Sequence, residues 1–290
     1  MNFHKIKGEE DIIYSPLGHL TESETILRPG LYKVKDGSSG PLSGFIPKFC
    51  PIKEGDRLIK FESGISSKIL AKFETFFSEE VKDKYKALKV VHKLGVILHG
   101  RPGTGKTALS QLLMLQEVKN HGAICLDLTG KSIPIVINVL DIIRKLQDTP
   151  VILFYDEFER IANDFFLLTL LDGIDSFDNV IFIGCTNFIN NIPKRIKDRK
   201  SRIKYIFEIK SLESAVYKEY ISNKVPGIKK EALDEFVFKA ADANMTIDQV
   251  KNAVIDYFVD GTPIDKAIKN ACKEAPDEGV TPEEEEEEDF

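Results

Sequence analysis

Gly100-Arg101-Pro102-Gly103-Thr104-Gly105-Lys106-Thr107 satisfies every fixed position of the P-loop pattern G-x-x-x-x-G-K-[ST]. Glycines let a tight loop come close to phosphate oxygens, and the backbone N–H groups of the loop and of the following helix start point at negative charge. Lys106 adds a mobile cation, and Thr107 an oxygen suited to Mg²⁺. Residues 100–107 together with Ala108 are thus the expected nucleotide-binding set. The flanks fit as well. Leu94-Gly95-Val96-Ile97-Leu98-His99 is a short apolar run of strand length, and Ala108 to Leu115 is helix-forming sequence that ends before Gly122. Strand, loop and helix occur in the order that a P-loop requires.

Further apolar runs occupy residues 123–128, 151–155, 180–185 and 203–209. Most are separated by amphipathic segments, most clearly at 133–147, where Ile135, Val136, Val139, Leu140, Ile143 and Leu146 form one face. Continuous apolar strands alternating with helices predict an α/β fold, a P-loop NTPase with a parallel five-stranded sheet flanked by helices. After Ser211 the strands stop and about four helices follow, which predicts a small all-helical C-terminal lid. Thr246-Ile247-Asp248-Gln249 fits a capping box, and Thr262-Pro263 fits an N-cap followed by proline at the first helical position. Residues 1–62 are rich in Gly, Pro and short strand-like pieces such as Leu31-Tyr32-Lys33-Val34-Lys35, and predict a small β-leaning N-terminal region. From Ser66, a plausible N-cap, Ile69, Leu70, Phe73, Phe76 and Phe77 recur at helical spacing. The expected division is 1–62 N-terminal region, 63–211 large α/β domain, 212–275 helical lid and 276–290 acidic tail.

Composition agrees with a soluble globular chain. The 290 residues are 42% hydrophobic and 30% charged, with a net charge of −6. Residues 276–290 hold nine carboxylates and no Lys or Arg, so removing them leaves residues 1–275 with a net charge of +3. No apolar run is long enough to span a membrane, and residues 1–7 lack a signal-peptide core. Cys50, Cys125, Cys185 and Cys272 show neither paired nor metal-like spacing. A cytoplasmic location without membrane contact is the expectation.

Val151-Ile152-Leu153-Phe154-Tyr155 ends in Asp156-Glu157, some fifty residues after the P-loop, the pattern called Walker B. Asp156 is placed to hold Mg²⁺ beside Thr107, and Glu157 to orient and polarise an attacking water. Two acids at a helix start, where they suit the dipole, are the plainer alternative. Asn187 follows the next apolar run. It suits contact with a γ-phosphate or its water, or serves as an ordinary turn residue.

With these pieces, and with Leu170-Leu171-Asp172-Gly173-Ile174-Asp175 and Arg199-Lys200-Ser201-Arg202, residues 66–274 resemble the AAA+ ATPases of the classical AAA type. The resemblance implies ATP and Mg²⁺ as cofactors and catalytic roles for Lys106, Glu157 and Asn187, the last at the sensor-1 position. It also implies that Arg199 and Arg202 are fingers reaching the ATP of a neighbouring subunit, within a homo-oligomeric ring that is usually a hexamer. Such a motor remodels a protein or a protein–nucleic acid complex. Some features depart from the family pattern. Thr129-Gly130-Lys131-Ser132-Ile133-Pro134 lacks the aromatic pore-loop residue of protein-threading members, the segment 158–165 is short, no Arg marks a sensor-2 contact near Thr246, and Ser201 replaces a glycine.

Residues 194–204 carry seven basic side chains against Asp198. That suits nucleic-acid phosphate or a solvated loop as well as fingers, and supports a DNA-directed loader of helicase or clamp-loader kind as the alternative. A nucleotide-dependent ring scaffold is a further alternative. The acidic tail suits solubility, a basic partner protein, or this chain's own basic loop.

Overall fold

The computed structural model describes residues 3–7, 12–15, 22–24, 26–36, 47–52, 58–62, 64–172, 177–210 and 212–273. The expected boundaries at 63, 211 and 275, the residues Gly173-Ile174-Asp175 and the acidic tail lie outside them.

Five short strands come first: β1 (Phe3–Lys7), β2 (Ile12–Ser15), β3 (Glu22–Glu24), β4 (Gly30–Asp36) and β5 (Pro47–Pro51). Helices α1 (Gly64–Phe73) and α2 (Glu79–Ala87) lead to β6 (Lys93–His99), and α3 (Lys106–His121) follows the P-loop. The chain continues through β7 (Ile124–Asp127), α4 (Ile133–Leu146), β8 (Val151–Tyr155), α5 (Phe165–Asp172), β9 (Val180–Thr186), α6 (Lys194–Lys197) and β10 (Tyr205–Glu208). Four helices close it: α7 (Ser214–Lys224), α8 (Lys230–Asp242), α9 (Ile247–Phe258) and α10 (Ile264–Ala271).

The five expected strands lie parallel in the order β10-β6-β9-β8-β7. Both faces are covered. Val151, Leu153 and Tyr155 of β8 pack on one side with α4 and α5, while Ile152 and Phe154 pack on the other with α1 and α3. This is why the strands read as unbroken apolar runs rather than as alternating ones. The apolar face expected on 133–147 is the buried face of α4, with Ile133, Val136, Val139, Leu140 and Ile143 enclosed. The C-terminal helices form a separate core around Tyr217, Phe236, Val250 and Ile268.

The sheet is larger than the expected five strands. β4 pairs in parallel with β7, matching Gly30 to Ile124 and Lys33 to Asp127, and β5, β2, β1 and β3 extend the sheet antiparallel to ten strands. Strands from before and after α1 thus share one sheet. Leu27, Tyr32, Val34 and Phe49 are buried in the same core as α4, and the Gln147 side chain accepts from the Leu27 N–H at 2.6 Å and donates to its carbonyl at 3.1 Å. Local pattern identifies Leu31 to Lys35 as a strand, but its partner lies about ninety residues away and leaves no local trace.

Helix starts shift slightly from expectation. α1 begins at Gly64, so Ser66 lies inside it and Phe76 and Phe77 fall in the turn beyond its end, although both are buried. α2 buries no residue; it is capped by Ser78 and carries Glu79 and Glu80 in its first turn, so it offers no apolar stripe to read. The capping box at Thr246 and Gln249 is present, whereas Pro263 is itself the N-cap of α10. No helix among the described residues is long and apolar enough to cross a membrane.

Candidate functional site

The P-loop leaves β6 at its C-terminal end and enters α3 at Lys106, so the first N–H groups of a 16-residue helix face the loop. β6 lies between β10 and β9, while the chain crosses to β7 beyond them. This reversal opens a crevice at the strand ends, the usual place for ligands in open α/β sheets. A cleft of about 550 Å³ lies there, lined by Pro102, Gly103, Gly105, Lys106, Thr107 and Ala108 of the loop. Thr129, Asp156, Glu157, Asn187, Ile247 and Asp248 complete its walls. Gly100, Arg101 and Thr104 stand behind it. The Lys106 ammonium donates to the carbonyls of Gly100 at 2.9 Å and Arg101 at 2.8 Å, and Thr104 Oγ1 donates to the Arg101 carbonyl at 2.9 Å. Burial lowers the pKa of Lys106, with Cys185 and Asp156 opposing that shift.

Thr107 Oγ1 donates to Asp156 Oδ2 at 2.8 Å. A hydroxyl and a carboxylate so close are hard oxygen donors, the ligand chemistry that Mg²⁺ prefers, and they sit at the mouth of a loop shaped for phosphate. The residues present therefore fit a magnesium–triphosphate pair. Asp156 is steadied from behind: its N–H donates to Thr129 Oγ1 at 3.0 Å, and Tyr155 Oη donates to the Lys131 carbonyl at 2.8 Å. The short segment after β7, where no aromatic pore-loop residue occurs, is thus tied to the end of β8.

Glu157 has φ 53°, a left-handed backbone that few residues other than glycine adopt, and such strain is retained mostly where function needs it. Its anchor is the next residue. Phe158 is fully buried against Gly184 of β9, where a Cβ would stand 2.7 Å from the Phe158 ring, so only glycine admits this packing. The Glu157 carboxylate lies half exposed and pairs with Arg160 Nε at 2.9 Å. Asn187, exposed at the end of β9, faces the same cleft. Behind the loop Ser110 meets Cys185 at 3.2 Å, and burial pushes the Cys185 thiol up to about 12, so it stays protonated.

Two parts of the site left no clear sequence signal, and a third joins motifs that the sequence shows only separately. The lid docks on the loop: the Asp248 N–H donates to the Gly103 carbonyl at 3.2 Å, and a Cβ on Gly103, at φ +75°, would stand 2.9 Å from Thr246 Oγ1. A mainly apolar cleft of about 590 Å³ continues from Thr104 and Gly105, lined by Phe61, Ile206, Ile209, Val216 and Ile247 among others. It suits a flat ring such as a nucleobase. The third is Asp172. Its Oδ2 accepts from Arg199 at 3.3 Å and from Arg202 at 3.2 Å. Arg202 is 11% exposed and also donates to the Arg195 carbonyl, whereas Arg199 is 63% exposed. Neither arginine lines the cleft of its own chain.

Residues 96–211 match the family model described as "ATPase family associated with various cellular activities (AAA)". A proteasome-associated ATPase of Mycolicibacterium gilvum is 24% identical over 214 residues, covering 60% of this chain and 34% of that protein. A similar protein from Saccharomonospora viridis is 27% identical over 215 residues, again 34% of its length and 61% of this chain. An AAA ATPase forming ring-shaped complexes from Corynebacterium diphtheriae is 26% identical over 233 residues, 66% of this chain and 45% of that protein. The match thus spans about a third of the length of the proteasome-associated ATPases.

Proposed function

We propose, from the premise that residues 96–211 belong to the AAA family of ATPases, that this chain is an Mg²⁺-dependent ATP hydrolase working as a homo-oligomeric ring, a hexamer by family habit, that remodels a protein client. The observation that carries this is the convergence of Lys106, the Thr107–Asp156 pair, Glu157 and Asn187 on one cleft. Residues 63–211 with the strands β4 and β5 are the ATPase unit, and 212–275 the lid.

Thr107 and Asp156 hold the metal, which when bound neutralises charge on the β- and γ-phosphates. Lys106 binds those phosphates, for which it exchanges its hold on the Gly100 and Arg101 carbonyls. Glu157 orients water and accepts its proton. Asn187 contacts the γ-phosphate side of the cleft, and the apolar cleft beside Ile209 and Val216 takes the base. Arg199, exposed and outside its own cleft, reaches the nucleotide of the next subunit, so that hydrolysis depends on assembly. Support for a ring with a protein client comes from the relatives described as ring-forming and proteasome-associated. The short loops after Leu128 and Glu157 favour remodelling by domain movement over hand-over-hand threading.

Glu157→Gln tests this directly. ATP binding should persist in equilibrium titration while turnover falls about a hundred- to ten-thousandfold, the scale of losing a general base. Turnover at the wild-type rate would overturn the assignment. The stalled variant in ATP should also hold its client.

A further inference from the structure

A second groove, of about 520 Å³, lies beside the start of β6, about 20 Å along that strand from the P-loop end. Lys89, Lys200 and Lys204 line it with exposed side chains. The ion pairs at this face join Asp172, its carboxylate, to Arg199 and Arg202, so among the described residues the three lysines have no carboxylate partner. The fourth lysine, Lys93, is turned inward to the Leu171 carbonyl. One wall is apolar, made by Tyr85 and by Val90, which is 56% exposed. Surplus positive charge beside an uncovered apolar wall specifies a ligand with several carboxylates and one large apolar group.

Residues 276–290 of this chain have that chemistry. Asp277, Glu278, Glu283 to Glu288 and Asp289 supply nine carboxylates without a single cation, and Phe290 supplies an aromatic ring. We propose that this acidic segment docks in the groove, its carboxylates on Lys89, Lys200 and Lys204 and the Phe290 ring against Val90 and Tyr85. The nine residues 274–282 span up to about 30 Å when extended, enough to carry the acidic run well away from the end of α10. Tethering gives the segment an effective concentration on the order of millimolar, so a free polyanion, nucleic acid included, must displace it to enter. Because the groove adjoins the Asp172 clasp, the docked segment screens the Arg199 face from other acidic or phosphate-bearing partners. The inference stands on the groove and the sequence, independently of the ATPase assignment.

The test is carbodiimide cross-linking of the intact chain, with the lysines joined to Glu283–Glu288 read by mass spectrometry. Links to Lys89, Lys200 and Lys204 should dominate and should fall roughly tenfold as ionic strength rises from about 0.05 M to about 0.5 M. They should fall severalfold in the chain carrying V90E, which keeps the three lysines and removes the apolar wall; a triple lysine variant, K89E, K200E and K204E, serves the second arm. Links spread evenly over exposed lysines such as Lys119 and Lys266, or an unchanged pattern in the V90E chain, would overturn docking. A second arm titrates labelled single-stranded DNA. A chain with Glu283 to Glu288 changed to Gln should bind it about tenfold more tightly than the intact chain, the tethered competitor having been weakened. Equal DNA affinity of the two chains, lost in the triple lysine variant, would make the groove a nucleic-acid site and refute the proposal.

Discussion

The nucleotide cleft and the arginine face differ in how their key groups are held. Around Lys106, position comes from the backbone: a strand end, a helix start, the left-handed Glu157 and the Phe158–Gly184 contact hold each group where a phosphate would need it. At the other face, position comes from one carboxylate. Asp172 holds Arg199 and Arg202 together, and the exposed pair with Arg199 is worth about 1 kcal/mol or less. The cleft groups are fixed by the backbone, while Arg199 is held only through an exposed side-chain pair. Arg202, largely enclosed and bonded to the Arg195 carbonyl, is the fixed member of the pair.

The largest expected effect separates these two arginines. Arg199→Ala should lower steady-state turnover about a thousandfold or more, as loss of a finger does, and leave nucleotide affinity within about twofold. Equal turnover with and without Arg199 would erase the distinction between the faces. Next, Gly103→Val attacks the preformed side. A β-branched residue at φ +75° with a Cβ 2.9 Å from Thr246 Oγ1 strains the loop and pushes the lid, so nucleotide affinity in equilibrium titration should drop about tenfold. Arg202→Ala should act mainly on stability, costing about 1–3 kcal/mol for its lost hydrogen bonds. Thermal melts should show a Tm several degrees lower, with turnover reduced less than in the Arg199 variant.

The smallest effect concerns the cost carried by the preformed side. Glu117, on the same helix that presents Lys106, is 1% exposed, and burial raises its carboxyl above the ordinary value of 4.5, with Gln116 and His121 opposing. The folded state thus holds this proton more tightly than the unfolded chain does. The stabilisation is complete below the ordinary carboxylate range and is lost as pH rises through the raised folded value. Glu117→Gln should therefore melt higher than the parent chain near neutral pH, by about 2–4 °C per kcal/mol relieved, and the gap should close near pH 4. A gap that does not change with pH would assign the effect to packing instead.

The two faces were also unequally legible in the sequence. Residues 100–107, Asp156-Glu157, Asn187 and the Thr246 capping box are short and contiguous, and each is dictated by local geometry, so residue order alone reveals them. The Asp172 clasp joins side chains nearly thirty residues apart: both 170–175 and 199–202 are legible as separate motifs, but nothing in residue order pairs them. The apolar cleft draws Phe61, Ile206, Val216 and Ile247 from four separate segments, each of which reads as ordinary core. β4 was visible as a strand, but not as the neighbour of β7, because parallel pairing across about ninety residues is decided by tertiary burial of Leu27, Tyr32 and Val34. α2 escaped notice because all of its residues keep contact with solvent.

The central claim is that the cleft of one chain is completed by Arg199 of another, and mixing two defective chains tests it most directly. Lys106→Ala removes the phosphate cation but keeps the finger, and Arg199→Ala keeps the cleft but lacks the finger. Each variant alone should be nearly inactive. Mixed under conditions that allow subunit exchange, they should regain ATP turnover, since intact clefts then face intact fingers. A mixture as inactive as its components, with exchange demonstrated, would contradict a shared site.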